Sequence, residues 1–154
     1  MSVGCHACEV EVDPDTGEVQ IVGYAVAQDC GRLINPMLVE GQLHGGVAQG
    51  VGQGWMEKIV YQPASGQLVS GSLTDYAVPR AADLPNIATW LGKESVADNP
   101  LGVKGIGESA ATGSTPAFVN AVVDALAPFG VLEIEAPLTP LSVWNSIVQA
   151  RSAT

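Results

Sequence analysis

The residues best placed for chemistry lie in the stretch 101–125, LGVKGIGESAATGSTPAFVNAVVDA, a glycine-punctuated loop that runs into an apolar-periodic helix. Gly102, Gly105 and Gly107 let the main chain bend tightly and come close to a ligand. Glu108 then falls at or near the first turn of the helix. Two jobs suit a carboxylate there. One is a stabilising charge beside the positive end of the helix dipole, worth about 0.3 to 1 kcal/mol at an exposed position. The other is a general base held rigidly at the mouth of a site. The residue pattern leaves both open. It is not a phosphate loop, because the Lys-Ser/Thr ending is missing and Lys104 precedes the last glycine, and no G-x-G-x-x-G follows a strand. A nucleophile elbow and an H-E-x-x-H zinc helix are absent, and histidine, found only at His6 and His44, is too scarce for a triad. Asp75 and Tyr76 read as solvated loop polarity.

Sulfur chemistry is limited as well. Cys5-His6-Ala7-Cys8 has C-x-x-C spacing, but no second ligand pair follows at zinc-finger distance. With Cys30 the total is three cysteines, an odd number without an export signal, so disulfides are not expected. Four-cysteine spacing for an iron-sulfur cluster is missing, and no metal ligand is assigned in this chain.

The elements that must position Glu108 can be read from pattern. Residues 8–29 form a hairpin: Glu9-Val10-Glu11-Val12 alternates, Asp13-Pro14-Asp15-Thr16-Gly17 is turn chemistry, and 19–26 is rich in β-branched residues. Asn35-Pro36 marks the entry to a helix over 36–58, with Pro36 near the first helical position. Gly41, Gly45, Gly46, Gly50, Gly52 and Gly54 fall inside it, and each interior glycine costs roughly 1 kcal/mol relative to alanine. Something must offset that. Glycines four apart leave a flat stripe for another backbone or a flat ligand, while Gln42, Gln49 and Gln53 share one helical face. The competing reading is a buried helix whose glutamines bond to neighbouring backbone. A second hairpin is expected over 59–61 and 67–70, an irregular crossing over 74–85, and short strands over 87–91 and 131–134. A helix follows Glu108, and a terminal helix spans 141–150. The expected fold is α+β, with residues 1–154 forming one domain or part of one.

Composition bounds the partners. Hydrophobic residues make up 47% of the 154-residue chain, enough for one sizeable core. Only 14% of residues are charged, against about 25% in typical domains. Much of this surface is therefore expected to be covered by other protein. The net charge of −10 repels phosphate backbones and anionic lipid, which excludes nucleic acid and membrane surfaces as partners. No signal-peptide pattern and no run of 18 apolar residues occurs, so a cytoplasmic setting without membrane insertion is expected.

Several motifs occur in order: Asp29-Cys30-Gly31 with Ile34-Asn35-Pro36; Gly41-Gln42 and Gly45-Gly46-Val47-Ala48-Gln49-Gly50; Asp75-Tyr76; and Gly102-Val103-Lys104-Gly105-Ile106-Gly107-Glu108. Together they resemble the molybdopterin-binding large subunit of the xanthine dehydrogenase, aldehyde oxidase and carbon monoxide dehydrogenase family, and the resemblance covers nearly the whole chain. It implies that Glu108 is the base that takes a proton from a molybdenum-bound hydroxide attacking the substrate carbon. It implies that Gln42 hydrogen-bonds the pterin cofactor or a molybdenum oxo ligand. The implied cofactor is molybdenum-molybdopterin in its cytosine dinucleotide form, with FAD and 2Fe-2S groups on partner subunits carrying electrons away.

The departures from the family pattern carry expectations of their own. Relatives have much longer large subunits, with an amino-terminal half and a G-G-G-F-G type loop that this sequence lacks. The resemblance therefore makes this chain the carboxy-terminal portion, dependent on the remainder of the large subunit and inactive alone. The small-molecule substrate, whether aldehyde, nitrogen heterocycle or carbon monoxide, stays open, with the carbon monoxide dehydrogenase-like branch nearest. Against the enzyme reading stands a non-catalytic fragment or structural module of a multi-subunit complex.

Overall fold

A computed structural model describes residues 2–92 and 99–152. Strands β1 (Val3–Val12) and β2 (Val19–Asp29) form the expected antiparallel hairpin, and β3 (Ile87–Leu91) adds to β2 in parallel, giving the order β1-β2-β3. The turn between β1 and β2 is tied by Asp13, whose carboxylate accepts the Asp15 N–H at 2.9 Å and the Thr16 hydroxyl at 2.8 Å. β1 begins earlier than the pattern suggested and takes in Cys5-His6-Ala7-Cys8.

The register of the hairpin shifts where Glu9 faces Gly23 and Val10 faces Ile21, leaving Val22 as the extra residue. That bulge inverts the burial phase of β2. Val19 and Ile21 point inward before it, and Tyr24, Val26 and Gln28 point inward after it.

Helix α1 (Pro36–Trp55) starts as the Asn-Pro pair requires: Asn35 caps it by accepting the Leu38 N–H at 3.2 Å, and Pro36 occupies the first turn. It stops three residues short of the expected end, where the N–H groups of Met56 and Glu57 both reach the Gly52 carbonyl at 3.0 Å. Helix α2 (Ser109–Leu126) follows Glu108, and α3 (Pro140–Ser152) closes the described chain. Leu43, Val47 and Val51 of α1 meet Phe118, Val122 and Leu126 of α2 in the core, all fully buried, and α2 also packs on β1. The result is the α+β arrangement expected. Among the described residues no helix is long and apolar enough to cross a membrane.

Two expected elements are not regular. The second hairpin is reduced to a bridge between Tyr61 and Leu68, closed by Gln62 N–H to Gln67 C=O and Val69 N–H to Val60 C=O, each 2.8 Å. Its side chains are almost all exposed, and among the described residues no neighbouring strand extends the pairing. The strand expected over 131–134 is absent. Val131 is buried but Leu132 is 80% exposed, and among the described residues no strand pairs with the segment, which runs as irregular chain toward α3.

Candidate functional site

α1 and α2 cross closely because glycine removes the side chains between them. A Cβ on Gly46 would lie 2.7 Å from the Ala110 Cβ; one on Gly50 would collide with the Ser114 hydroxyl and lie 2.6 Å from the Ala111 carbonyl oxygen. The seam carries its own hydrogen bonds, from the Thr115 hydroxyl to the Gly50 carbonyl at 2.8 Å and from the Ser114 hydroxyl to the Gly46 carbonyl at 3.4 Å. Small residues thus let hydroxyls of α2 reach main-chain carbonyls of α1.

Beside this seam opens a cleft of about 520 Å³ lined by Gln49, Gln53, Glu108, Ala111, Thr112 and Thr115. Glu108 occupies the N-cap position of α2, yet its side chain makes no capping hydrogen bond. Its main-chain carbonyl accepts from the Thr112 N–H at 3.2 Å and the Thr112 hydroxyl at 3.1 Å. The carboxylate itself is exposed and bonded to nothing among the described residues, so it is available to an incoming group. The rest of the lining is neutral amide, hydroxyl and methyl.

The loop that delivers Glu108 is bound to the end of β2. Gly31 bridges Val103, the Arg32 N–H donates to the Gly102 carbonyl at 2.7 Å, and the Lys104 N–H donates to the Cys30 carbonyl at 2.9 Å. The Lys104 ammonium pairs with Asp29 Oδ2, and Asp29 Oδ1 accepts the Gly31 N–H at 2.9 Å. The Lys104 side chain is only 11% exposed. The ammonium hydrogen bond, followed by the Gly31 amide, holds the Asp29 carboxyl below its ordinary range. Gly31 sits at φ 69°, and a Cβ there would lie 2.5 Å from the Gly102 carbonyl oxygen, so the main chains can meet only without a side chain.

A smaller cleft of about 310 Å³ lies on the other side of the first turn of α2, bounded by His6, Gln28, Ser109, Thr112 and Gly113 among others. Thr112 lines both clefts. His6 Nδ1 shares a hydrogen bond of 2.8 Å with the Tyr24 hydroxyl, and burial lowers the affinity of the ring for a proton. Gln28, 1% exposed, donates to the Val3 carbonyl at 3.0 Å. Cys5 and Cys8 are three apart on an extended strand and so point to opposite faces. Burial pushes the Cys8 thiol up to about 11.

Of the residues singled out from sequence, Glu108 is brought together with Gln49 and Gln53. Gln42 is not. It is exposed on the same helical face, two turns before Gln49 and so roughly 10 Å along the axis, and does not line this cleft. Thr112, Thr115 and the pairing of Asp29 with Lys104 had been given no role. The last had one available signal: Lys104 is one of only six Lys and Arg residues and stands among glycines.

Gly41, Gly45, Gly105 and Gly107 behave unlike the seam glycines, because a Cβ on any of them would meet nothing within 4 Å. No side-chain crowding among the described residues explains them. They leave bare main chain on the two segments that meet near Glu108, which fits a flat group approaching from outside.

Residues 1–85 match the molybdopterin cofactor-binding domain family. The carbon monoxide dehydrogenase large chain of Hydrogenophaga pseudoflava is 38% identical over 144 residues, covering 94% of this chain and 18% of that protein. The nicotine 6-hydroxylase large subunit of Paenarthrobacter nicotinovorans is 42% identical over 142 residues, covering 92% and 17%. The structure of reconstituted CO dehydrogenase from Oligotropha carboxidovorans superposes with a TM-score of 0.92 at 31% identity, over 99% of this chain and 19% of that one. The chain thus spans less than a fifth of the length of these relatives. With the matched family covering more than half of its residues, this chain belongs to the molybdopterin cofactor-binding domain family.

Proposed function

We propose that this chain forms the base-bearing wall of the active site in a cytoplasmic molybdenum hydroxylase, with Glu108 as the base and Gln42 as a cofactor-binding residue. One observation carries the reading. Glu108 heads α2 without capping it and lines a neutral cleft, on segments whose open glycines would seat a Cβ against nothing among the described residues. When bound, the molybdenum-molybdopterin group, read here as the cytosine dinucleotide form, supplies the electron-accepting centre and the oxygen to be delivered. Glu108 would accept the proton that this chemistry releases and hold it on its carboxylate. The Gln42 amide offers a donor and an acceptor to the edge of a heterocycle. Gly41, Gly45, Gly105 and Gly107 let that heterocycle come up to the main chain.

The remainder of the large subunit and subunits carrying FAD and 2Fe-2S complete the proposal. The names of the relatives, a large chain and a large subunit, support an assembly of several polypeptides. Cys5, Cys8 and Cys30 are fewer than the four thiolates an ordinary cluster needs, so electrons would leave through groups outside these 154 residues. The small-molecule substrate is an aldehyde, an N-heterocycle or carbon monoxide.

The test is Glu108→Gln and Gln42→Ala in the assembled enzyme, with molybdenum and pterin quantified beside dye-linked oxidation. Glu108→Gln should keep the metal and lose at least about a hundredfold in kcat. Gln42→Ala should lower pterin content. A metal-loaded Glu108→Gln enzyme with ordinary turnover would refute the assignment and favour a non-catalytic, structural role.

A further inference from the structure

We infer that Asp29 and Lys104 act as positioning residues that set the placement of Glu108, an inference resting on the reading of Glu108 as the base. The segment 99–104 is immobilised from several directions. The Asn99 side chain donates to the Val103 carbonyl at 2.8 Å and accepts the Val103 N–H at 3.2 Å, while the main chain bonds to Cys30 and Arg32 as described. Beyond Lys104 the restraint on the loop from β2 ends: a Cβ on Gly105 or Gly107 would meet nothing within 4 Å, while Ile106 leans on the core and its carbonyl accepts the Ser109 N–H at 3.3 Å and the Ser109 hydroxyl at 3.0 Å. Glu108 therefore hangs between two anchors, the ion pair four residues before it and the α1–α2 seam after it. The seam belongs to the core. The ion pair is the anchor whose removal would loosen the base without unpacking the helices.

The choice of a charged pair has a chemical consequence. An ammonium this close to Glu108 in sequence would pair with the base if left free, and a base already paired with a cation is a poor proton acceptor. Asp29 occupies Lys104 and uses its second oxygen to fix the Gly31 amide, so that the end of β2, the Gly31 turn and the loop are locked in one register. Neither residue touches the reacting atoms. Each acts through Glu108.

The experiment uses the assembled enzyme containing this chain, with Lys104→Met, Asp29→Asn, Lys104→Arg and Glu108→Gln compared. Lys104→Met should lower kcat by about tenfold to a hundredfold at unchanged molybdenum content and little-changed KM. Lys104→Arg, which keeps the charge, should restore most of it. Amide exchange in cofactor-free protein should quicken by about tenfold over 105–109 and stay unchanged in α1. If Lys104→Met does not fold, the double variant with Asp29→Asn removes both charges and leaves none unpaired, and the same criteria apply. Wild-type kcat in Lys104→Met, or faster exchange spread equally through α1 and β1, overturns the inference. Ordinary turnover in Glu108→Gln removes the underlying assignment instead, while the exchange pattern still decides whether the pair holds the loop.

Discussion

Alanine substitutions at two glycines of α1, one turn and a little apart, should have opposite signs. At Gly45 a Cβ meets nothing within 4 Å. Gly45→Ala therefore keeps the whole intrinsic helix gain of about 1 kcal/mol, a rise in Tm of about 2–4 °C for a chain of this size. At Gly50 the same gain is available, but the Cβ lands on the Ser114 hydroxyl and 2.6 Å from the Ala111 carbonyl oxygen. Overpacking of that kind costs about 1–3 kcal/mol. Prying the helices apart also removes the Thr115 bond to the Gly50 carbonyl, roughly 1 kcal/mol more. Gly50→Ala should thus be less stable by about 2 kcal/mol, with Tm lowered by about 4–8 °C. Thermal unfolding followed by circular dichroism measures both. A Gly50→Ala protein as stable as wild type would mean that the seam is looser than described. A second readout addresses the open glycines. Gly45→Ala should bind molybdopterin less well although the protein is more stable; undiminished cofactor content would show that nothing approaches that face.

Gly31→Ala should lose about 1–3 kcal/mol, since the left-handed backbone and the contact with Gly102 both oppose a Cβ; urea unfolding checks this, and a loss under 0.5 kcal/mol would refute it. His6 gives a pH dependence. Its folded-state pKa lies below 6.5 because burial disfavours the imidazolium, so the unfolded chain takes up the proton first as pH falls. Stability should be full above pH 6.5 and decline as pH drops from there toward the lowered value. His6→Gln should flatten the profile between pH 7.5 and 5.5, and an unchanged slope would assign the effect to other groups.

Local chemistry was enough for much of this protein. The β1–β2 turn, the entry of α1 at Asn35-Pro36 and the placement of Glu108 at the head of a helix follow from side-chain bonds, a proline ring and glycine loops acting within a few residues. The ordered motifs were enough to indicate the family. What spans the sequence was not legible. The apolar content of 131–134 could not reveal that no described strand would stand beside it, nor could the hairpin pattern over 59–70 reveal that no described sheet would extend it. The glycines of α1 looked alike in sequence, and only the crossing with α2 separated Gly46 and Gly50, which fill a seam, from Gly41 and Gly45, which face open space. The tertiary structure also decided the partner of Lys104. An ion pair between residues 75 apart depends on the path of the chain between them, and no local periodicity records that path.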